Sequence, residues 1–334
     1  MTQNNYRSGG QASAQIAYED PDVWGEAAGS MTVSDETFFA VGQGVEVNLT
    51  KNNNKVRNFG VGQRNATSTS ILGFTGTLTL TGAVTSFYWL LGALGTNNDA
   101  GSGPSSYTHT YTEADSLPSF SAKLPIVFNT EKYELIQGAI TNQLTLTAAI
   151  NEVLKFNLEC PYRYSSIVTG ATSVATDTQA VYTFAGGTIE IPDGTTIAAV
   201  QNFELTVKNN AELVPEVGSR FAAGYAAKQR EYDFKFTAAV TNFNLVGLMY
   251  AGTTGATAPA AISDGSIGTM TLTFVNSDGH EAVFTLPECH FNEDVLPRNI
   301  NDIVKEDITG WCESMTNVVY TNATETAPIE ATNV

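Results

Sequence analysis

The chain has 334 residues, enough for two domains, and 42% of them are hydrophobic, so each half has the material for a core. Only 15% are charged, 34 Asp and Glu against 16 Lys and Arg, for a net charge of −18; no basic patch is present, which excludes nucleic-acid binding by phosphate neutralisation. The 29 glycines, with abundant Thr and Asn, are the material of strands and turns, and no heptad or long helical pattern appears.

In chain order, residues 1–28 are polar and Gly/Ala-rich, carry the phrase YEDPDVWGEAAG (18–29), and are expected to form an arm. MTQNNYRSGG at the start lacks a basic segment followed by an apolar run, so no signal peptide is expected, and the protein is expected to be soluble and made in the cytoplasm. SMTVSDETFFAV (30–41) and QGVEVNLT (43–50) read as strands. In the second, Val45, Val47 and Leu49 share one face, and Glu46, Asn48 and Thr50 the other. KNNNKVRNFGVGQRNATSTS (51–70) is too long for a structureless connection and reads as a functional loop or an extended hairpin.

GFTGTLTLTGAV (73–84) alternates as a strand. SFYWLLGALG (86–95) reads as a short buried helix ended by Gly95, too short to span a bilayer. GTNNDAGSGPSS (95–106) reads as a loop and lacks the ligand spacing of a calcium site. Strands are expected at 107–112, 120–128, 139–150 and 153–160. They resume at 181–191, 201–207 and 231–240, then, after a second short helix at 243–252, at 267–275 and 281–291. The tail 321–334 is polar and reads as disordered or as an arm that docks on a partner.

The chain writes one phrase twice: AINEVLK (149–155) and NINDIVK (299–305), 150 positions apart. At a shift of 158, Asp35 meets Asp193, Gln43 meets Gln201 and Glu46 meets Glu204. At a shift of 156, Leu78 meets Phe234, Leu80 meets Phe236 and Phe87 meets Phe243. Three collinear blocks argue for an internal duplication, with unequal loops shifting the offset. Mismatches such as Phe156 against Glu306 fit two interfaces that are no longer equal. Few Lys or Pro residues protect the strand edges, so these edges are expected to pair with neighbouring subunits.

Signals for chemistry are thin. His109 sits in an alternating strand, His280 in a turn where an exposed His is unremarkable, and His290 beside Cys289 on the opposite strand face. Cys160, Cys289 and Cys312 make neither an even disulfide framework nor a metal spacing, and Cys160 and Cys312 read as small buried residues. No nucleophile elbow or phosphate-binding Gly motif is present, so no catalytic, cofactor or metal site is expected. The repeated acids Asp35/Asp193, Glu46/Glu204 and Glu152/Asp302 mark either a solvated strand face or a charged surface presented once per repeat. A two-domain β-sandwich binding module, for glycans or another surface, is the alternative from composition.

The order of elements carries a resemblance. It runs from the YEDPDVWGEA phrase to a strand ending VNLTKNNNKVRN, a long polar loop, GFTGTLTLTGAV, a helix ending ALG, and YTHTYT followed by LPSFSAKLP. The second half repeats it with QNFELTVKNN and GSRFAAGYAAKQREYDFKF. Over about 18–320 the chain resembles the tail tube proteins of tailed viruses of bacteria and archaea. The resemblance implies a mainly β fold of two tandem tail-tube-like β-sandwich or barrel domains, 29–165 and 166–320, each with one short helix and a long loop. It also implies a structural virion protein, not an enzyme, whose rings stack into the tail tube through which DNA passes. Partners would be further copies of itself, tail terminator, tail tip or baseplate, and tape-measure proteins, with no membrane insertion. Two domains per chain imply trimeric, pseudo-sixfold rings, a hexamer of the full chain being the alternative. Glu46, Glu204, Asp35 and Asp193 are the candidates for a DNA-repelling lumen. Lys51, Lys55, Arg57, Arg64, Lys208, Arg220, Lys228 and Arg230, in or beside the long loops, are the candidates for ring-to-ring contacts.

Overall fold

Period-two alternation dictates the architecture. In Lys155–Tyr162 the side chains of Phe156, Leu158, Cys160 and Tyr162 are buried while Lys155 and Glu159 are exposed, so one face of the strand must meet a core. The computed structural model describes residues 14–19, 38–59, 61–62, 64–100, 107–127, 131–169, 179–192, 195, 197, 200–240, 242–260, 266–296 and 303–322.

The first half contains β1 (Gln15–Tyr18), β2 (Phe39–Ala40), β3 (Gln43–Phe59), β4 (Ala66–Ala83), α1 (Leu90–Leu94), β5 (Gly95–Ala100) and β6 (Tyr107–Glu113). It continues with β7 (Phe120–Val127), β8 (Glu131–Ala139), β9 (Gln143–Ala149), β10 (Lys155–Tyr162) and β11 (Tyr164–Thr169). The second half contains β12 (Tyr182–Glu190), β13 (Val200–Lys208), β14 (Glu212–Pro215), β15 (Ala222–Ala226), β16 (Glu231–Ala239) and α2 (Asn244–Ala251). It ends with β17 (Ser266–Asn276), β18 (Glu281–Val295), β19 (Lys305–Cys312) and β20 (Asn317–Asn322). The protein is mainly β, with antiparallel pairing throughout.

One five-stranded sheet has the order β11-β8-β7-β1-β2. A 13-stranded sheet runs β3-β4-β10-β9-β13-β16-β19-β18-β20-β6-β5, with β17 on β18 and β12 on β17. β9 and β13 join the two halves edge to edge, with Leu144 opposite Val207, Leu146 opposite Leu205 and Ala148 opposite Phe203 on the apolar face. The order β3-β4-β10-β9 is thus followed by β13-β16-β19-β18. Registers recur as well. Leu80 faces Leu158 as Phe236 faces Ile308, and Leu144 faces Leu158 as Asp294 faces Ile308. These pairs are related by the offsets 156 for β3–β4 and 150 for β9–β10. Glu46 faces Thr81 as Asn202 faces Thr237, each just past a register shift in the strand. In the sheet, Glu46 therefore matches Asn202, and Glu204 matches Asn48, two residues from the match read in the sequence. Even a rare backbone state recurs: Gly138 has φ 65° and Glu288, 150 residues on, has φ 48°, a region that side chains seldom enter.

The apolar faces pack into one continuous core. Phe87, just before α1, lies among Tyr182, Phe284 and Tyr320 of the second half at ring distances of 5.0, 5.7 and 5.5 Å. At the end of α1, Arg230 donates to the carbonyls of Leu94 (3.3 Å) and Ala114 (2.9 Å) and to Asn209 Oδ1 (2.8 Å). Asn209, itself buried, donates to the carbonyls of Ala93 and Thr141, both at 3.0 Å.

Several expectations change. Of the two readings of 51–70, a functional loop or an extended hairpin, the hairpin is the one found, formed by the far ends of β3 and β4. Residues 95–100 were expected in a loop, but they pair with β6 as β5. Residues 15–18, expected in an arm, are strand β1, paired with β7. Cys312 is not a free buried thiol: it lies opposite Cys289 in a disulfide, whereas Cys160 is free and buried. His280 is buried rather than exposed. Of the strand expected over 30–41, residues 39–40 form β2 and 30–37 lie outside the described residues.

Candidate functional site

The outer face of the large sheet is polar across β3, β4, β10, β9, β13 and β16, whose alternate positions are Thr, Asn, Gln, Glu, Asp and Lys. Glu46, Asn48 and Thr50 of β3 lie on this face beside Thr77, Thr79 and Thr81 of β4. Across the β9–β13 junction it continues through Thr145 and Thr147 to Thr206 and Glu204, with the Thr145 and Thr206 hydroxyls 3.4 Å apart. A shallow depression of about 210 Å³ at this junction is lined by Thr147, Glu152, Asn202, Glu204 and Lys235. Glu46 and Glu204 are exposed on this one surface. Asp35 and Asp193 lie outside the described residues.

The face is not purely acidic. Lys208 contacts Asp233 at 2.5 Å and Glu231 at 3.7 Å, and the hydrogen bond to Asp233 holds its ammonium above the usual lysine range. Lys155 contacts Glu152 at 2.7 Å.

The other candidate cations divide into two groups. Lys55 and Arg57 project from the hairpin and Arg64 from its tip, all exposed, beside exposed Val56, Phe59 and Val61. The arm is stiffened by Asn58, which donates to Ser70 at 2.8 Å and Ser68 at 3.2 Å. The remaining cations have partners within the chain. Lys51 pairs with the buried carboxylate of Glu134, and Lys228 with Glu212, whose carboxyl is lowered by that partner. Arg220 donates to Asn53 at 2.8 Å, and its carbonyl accepts from Phe74 N–H at 2.8 Å, fastening the 208–230 segment to the hairpin base. Arg230 belongs to the clamp at α1.

Two acids absent from the sequence candidates sit on the apolar side of β18 and β19. Glu306 is 1% exposed, where the matching β10 position holds Phe156, packed 5.3 Å from Trp89. It borders a cavity of about 90 Å³ lined by Ile191, Ala238, Leu245 and Leu248. Burial, then the nearby Asp294 charge, pushes its carboxyl up to about 7, and Oε1 finds no hydrogen-bond partner among the described residues. Asp294 is also raised by burial, with Oδ1 unpartnered in the same sense. The mismatch with Phe156 was the sequence signal that marked Glu306; Asp294 carried none.

Among the described residues no group of His, Cys, Asp and Glu is arranged to hold a metal ion. No described helix is long and apolar enough to cross a membrane. No curated protein matches the chain significantly. The residues of this site form a polar sheet face and a projecting hairpin, and the family model for phage tail tube proteins matches residues 11–330; the chain belongs to that family, as a structural component of the virion tail.

Proposed function

We propose that this chain self-assembles into closed rings that stack into the hollow tail tube, and that double-stranded DNA passes through the lumen. Each chain contributes two tandem tube domains, 29–165 and 166–320, so three chains make a pseudo-sixfold ring. The observation that carries this reading is the β9–β13 junction, where two units of like strand order already share one sheet inside a single chain. A head-to-tail contact of this kind, repeated between chains, closes by rotation and removes the open edges.

In this reading the polar sheet face lines the lumen, with Glu46 and Glu204 on it, and Asp35 and Asp193 as further candidates. A carboxylate-bearing wall repels phosphates and yields no counterion release, so DNA slides without sticking. The β3–β4 hairpin, with exposed Phe59, Val61, Lys55, Arg57 and Arg64, makes the ring-to-ring contact. Tail terminator, tail tip or baseplate, and tape-measure proteins meet the two ends and the bore of the tube. Electron microscopy of the purified protein at high concentration tests this. Rings or tubes whose axial averages show three-fold symmetry with six similar lobes are expected; two-lobed monomers under every condition would overturn it.

A further inference from the structure

The internal junction pairs β9 with β13, and among the described residues the strand stretches that correspond to its two sides are unpaired at the far ends of the two four-strand runs. β13 is covered on its outer edge by β9 over residues 202–208. The matching stretch of β3, residues 46–52, pairs only with β4 among the described strands. β9 corresponds, at the offset of 150, to the distal end of β18. Beyond His290 that end pairs, among the described residues, on one side only, with β19. A third feature is unfilled in the same sense. Phe87 is 0% exposed because it inserts into the second unit, whereas Phe243, its match before α2, is 66% exposed. Val47 and Leu49 are likewise only partly buried on the β3 edge, where their counterparts Phe203 and Leu205 on β13 are buried.

We infer that the distal β18 edge of one copy pairs antiparallel with the outer β3 edge of a second copy, placing Asp294 opposite Lys51, Val295 opposite Thr50 and Leu296 opposite Leu49. This register is the one in which Leu144, Thr145 and Leu146 face Val207, Thr206 and Leu205 inside the chain, moved by the two offsets. It rests on the ring reading above, and goes beyond it in naming the edges and the register. Two chemical agreements support it independently of the topology. Leu296 and Leu49 reproduce the apolar pair Leu146–Leu205. Asp294, whose Oδ1 has no partner among the described residues, meets Lys51, the cation within the 46–52 stretch of β3, and Lys51 already shares that side with Glu134. Opposite charges placed directly across a strand pair favour this register over a slip by two residues, which would set Asp294 against Leu49 or Asn53.

The test is a cysteine pair on the polar face, Thr50→Cys with Val295→Cys, because the hydroxyls of the equivalent Thr145 and Thr206 approach to 3.4 Å. Assembled protein is oxidised and run under non-reducing conditions. The expected result is a reducible ladder ending at three linked chains, absent from either single variant and much weaker for Val295→Cys with Asn54→Cys. Rings with the strong cross-link at Asn54 instead would overturn the register. Rings with no interchain link in either pair would overturn the edge contact and leave the ring reading standing. Monomers under all conditions would overturn both. A second measurement addresses the ion pair: Asp294→Lys is expected to weaken association about tenfold, and Lys51→Glu with Glu134→Gln to restore it. No rescue would remove the Asp294–Lys51 contact.

Discussion

Glu306 is an acid in a place built for a ring. Its backbone lies opposite Ala238 in the sheet, and its side chain faces apolar residues where Phe156 fills the equivalent space in the first unit. Burial, then the Asp294 charge, pushes the native carboxyl up to about 7, above the ordinary carboxylate range. A raised carboxyl is neutral in both states at low pH, so it costs nothing there. As pH climbs from the unfolded value through about 7, the folded state must bury a charge that the unfolded state carries in water, and stability falls. Glu306→Gln is therefore expected to raise stability at pH 8 by about 1–2 kcal/mol, the full shift being discounted for the adjoining cavity, and to change it little at pH 4. Urea denaturation of both proteins at the two pH values checks this; an equal effect at both would show that titration is not the cause. Arg230 lies at the opposite extreme, with its charge satisfied by the carbonyls at the end of α1 and by Asn209. Arg230→Ala strands these acceptors and the buried Asn209 amide beside them, at an expected cost of about 2–3 kcal/mol in the same assay.

The β3–β4 hairpin is the element whose sequence and shape are most nearly one statement. Thr, Asn and Ser on alternate positions give a ribbon with no apolar face to bury, so it leaves the core and projects. Replacing 56–70 by a two-residue Asn-Gly turn leaves Lys55 opposite Ile71, as in the native register, and keeps the strands that pair with the core. Rings are expected to form, and stacked tubes to be lost, in sedimentation and microscopy; tubes of normal length would remove the hairpin from the ring-to-ring contact. Alternating strands such as β9, β10 and β13 were legible because one face is apolar at every second position. β5 was not, since GTNNDA has no large apolar side chain to betray pairing, and its strand state comes from its partner β6. β8 and β1 escaped notice for a related reason: EKYELIQGA mixes charges into a buried sheet, and QIAY is too short to show a period. The Cys289–Cys312 pairing depends on two strands meeting in register, which spacing alone does not reveal. Glu46 and Glu204 were readable as polar-face residues, but their exact equivalence was not, because loops of unequal length hide a two-residue offset that only the strand registers expose.

At the scale of the whole molecule, the four-strand runs β3-β4-β10-β9 and β13-β16-β19-β18 follow one order and differ in what covers them. The first unit has its aromatic anchor buried by the second: Phe87 touches Tyr182, Phe284 and Tyr320. Phe243, which meets Phe87 at the offset of 156, is exposed to solvent. If the exposed position is a local accident of α2, the two phenylalanines are unrelated and removing Phe243 affects nothing beyond its own turn. If instead the chain is one segment of a closed circle, Phe243 waits for the next chain as Phe87 has already met the second unit. The paired variants separate these cases. Phe87→Ala opens a cavity in a shared core and is expected to destabilise the isolated chain by about 3–5 kcal/mol. Phe243→Ala is expected to leave the isolated chain within about 0.5 kcal/mol of the parent, because an exposed ring contributes little to folding. In the assembling protein the order reverses in meaning: Phe243→Ala alone is expected to raise the concentration needed for ring formation by tenfold or more, as loss of an aromatic anchor does at an interface. Equilibrium unfolding of monomers, followed by sedimentation across a concentration series, reads both quantities on the same samples. A Phe243→Ala protein that assembles like its parent would mean that the ring closes without using the contact by which the two units of one chain hold each other.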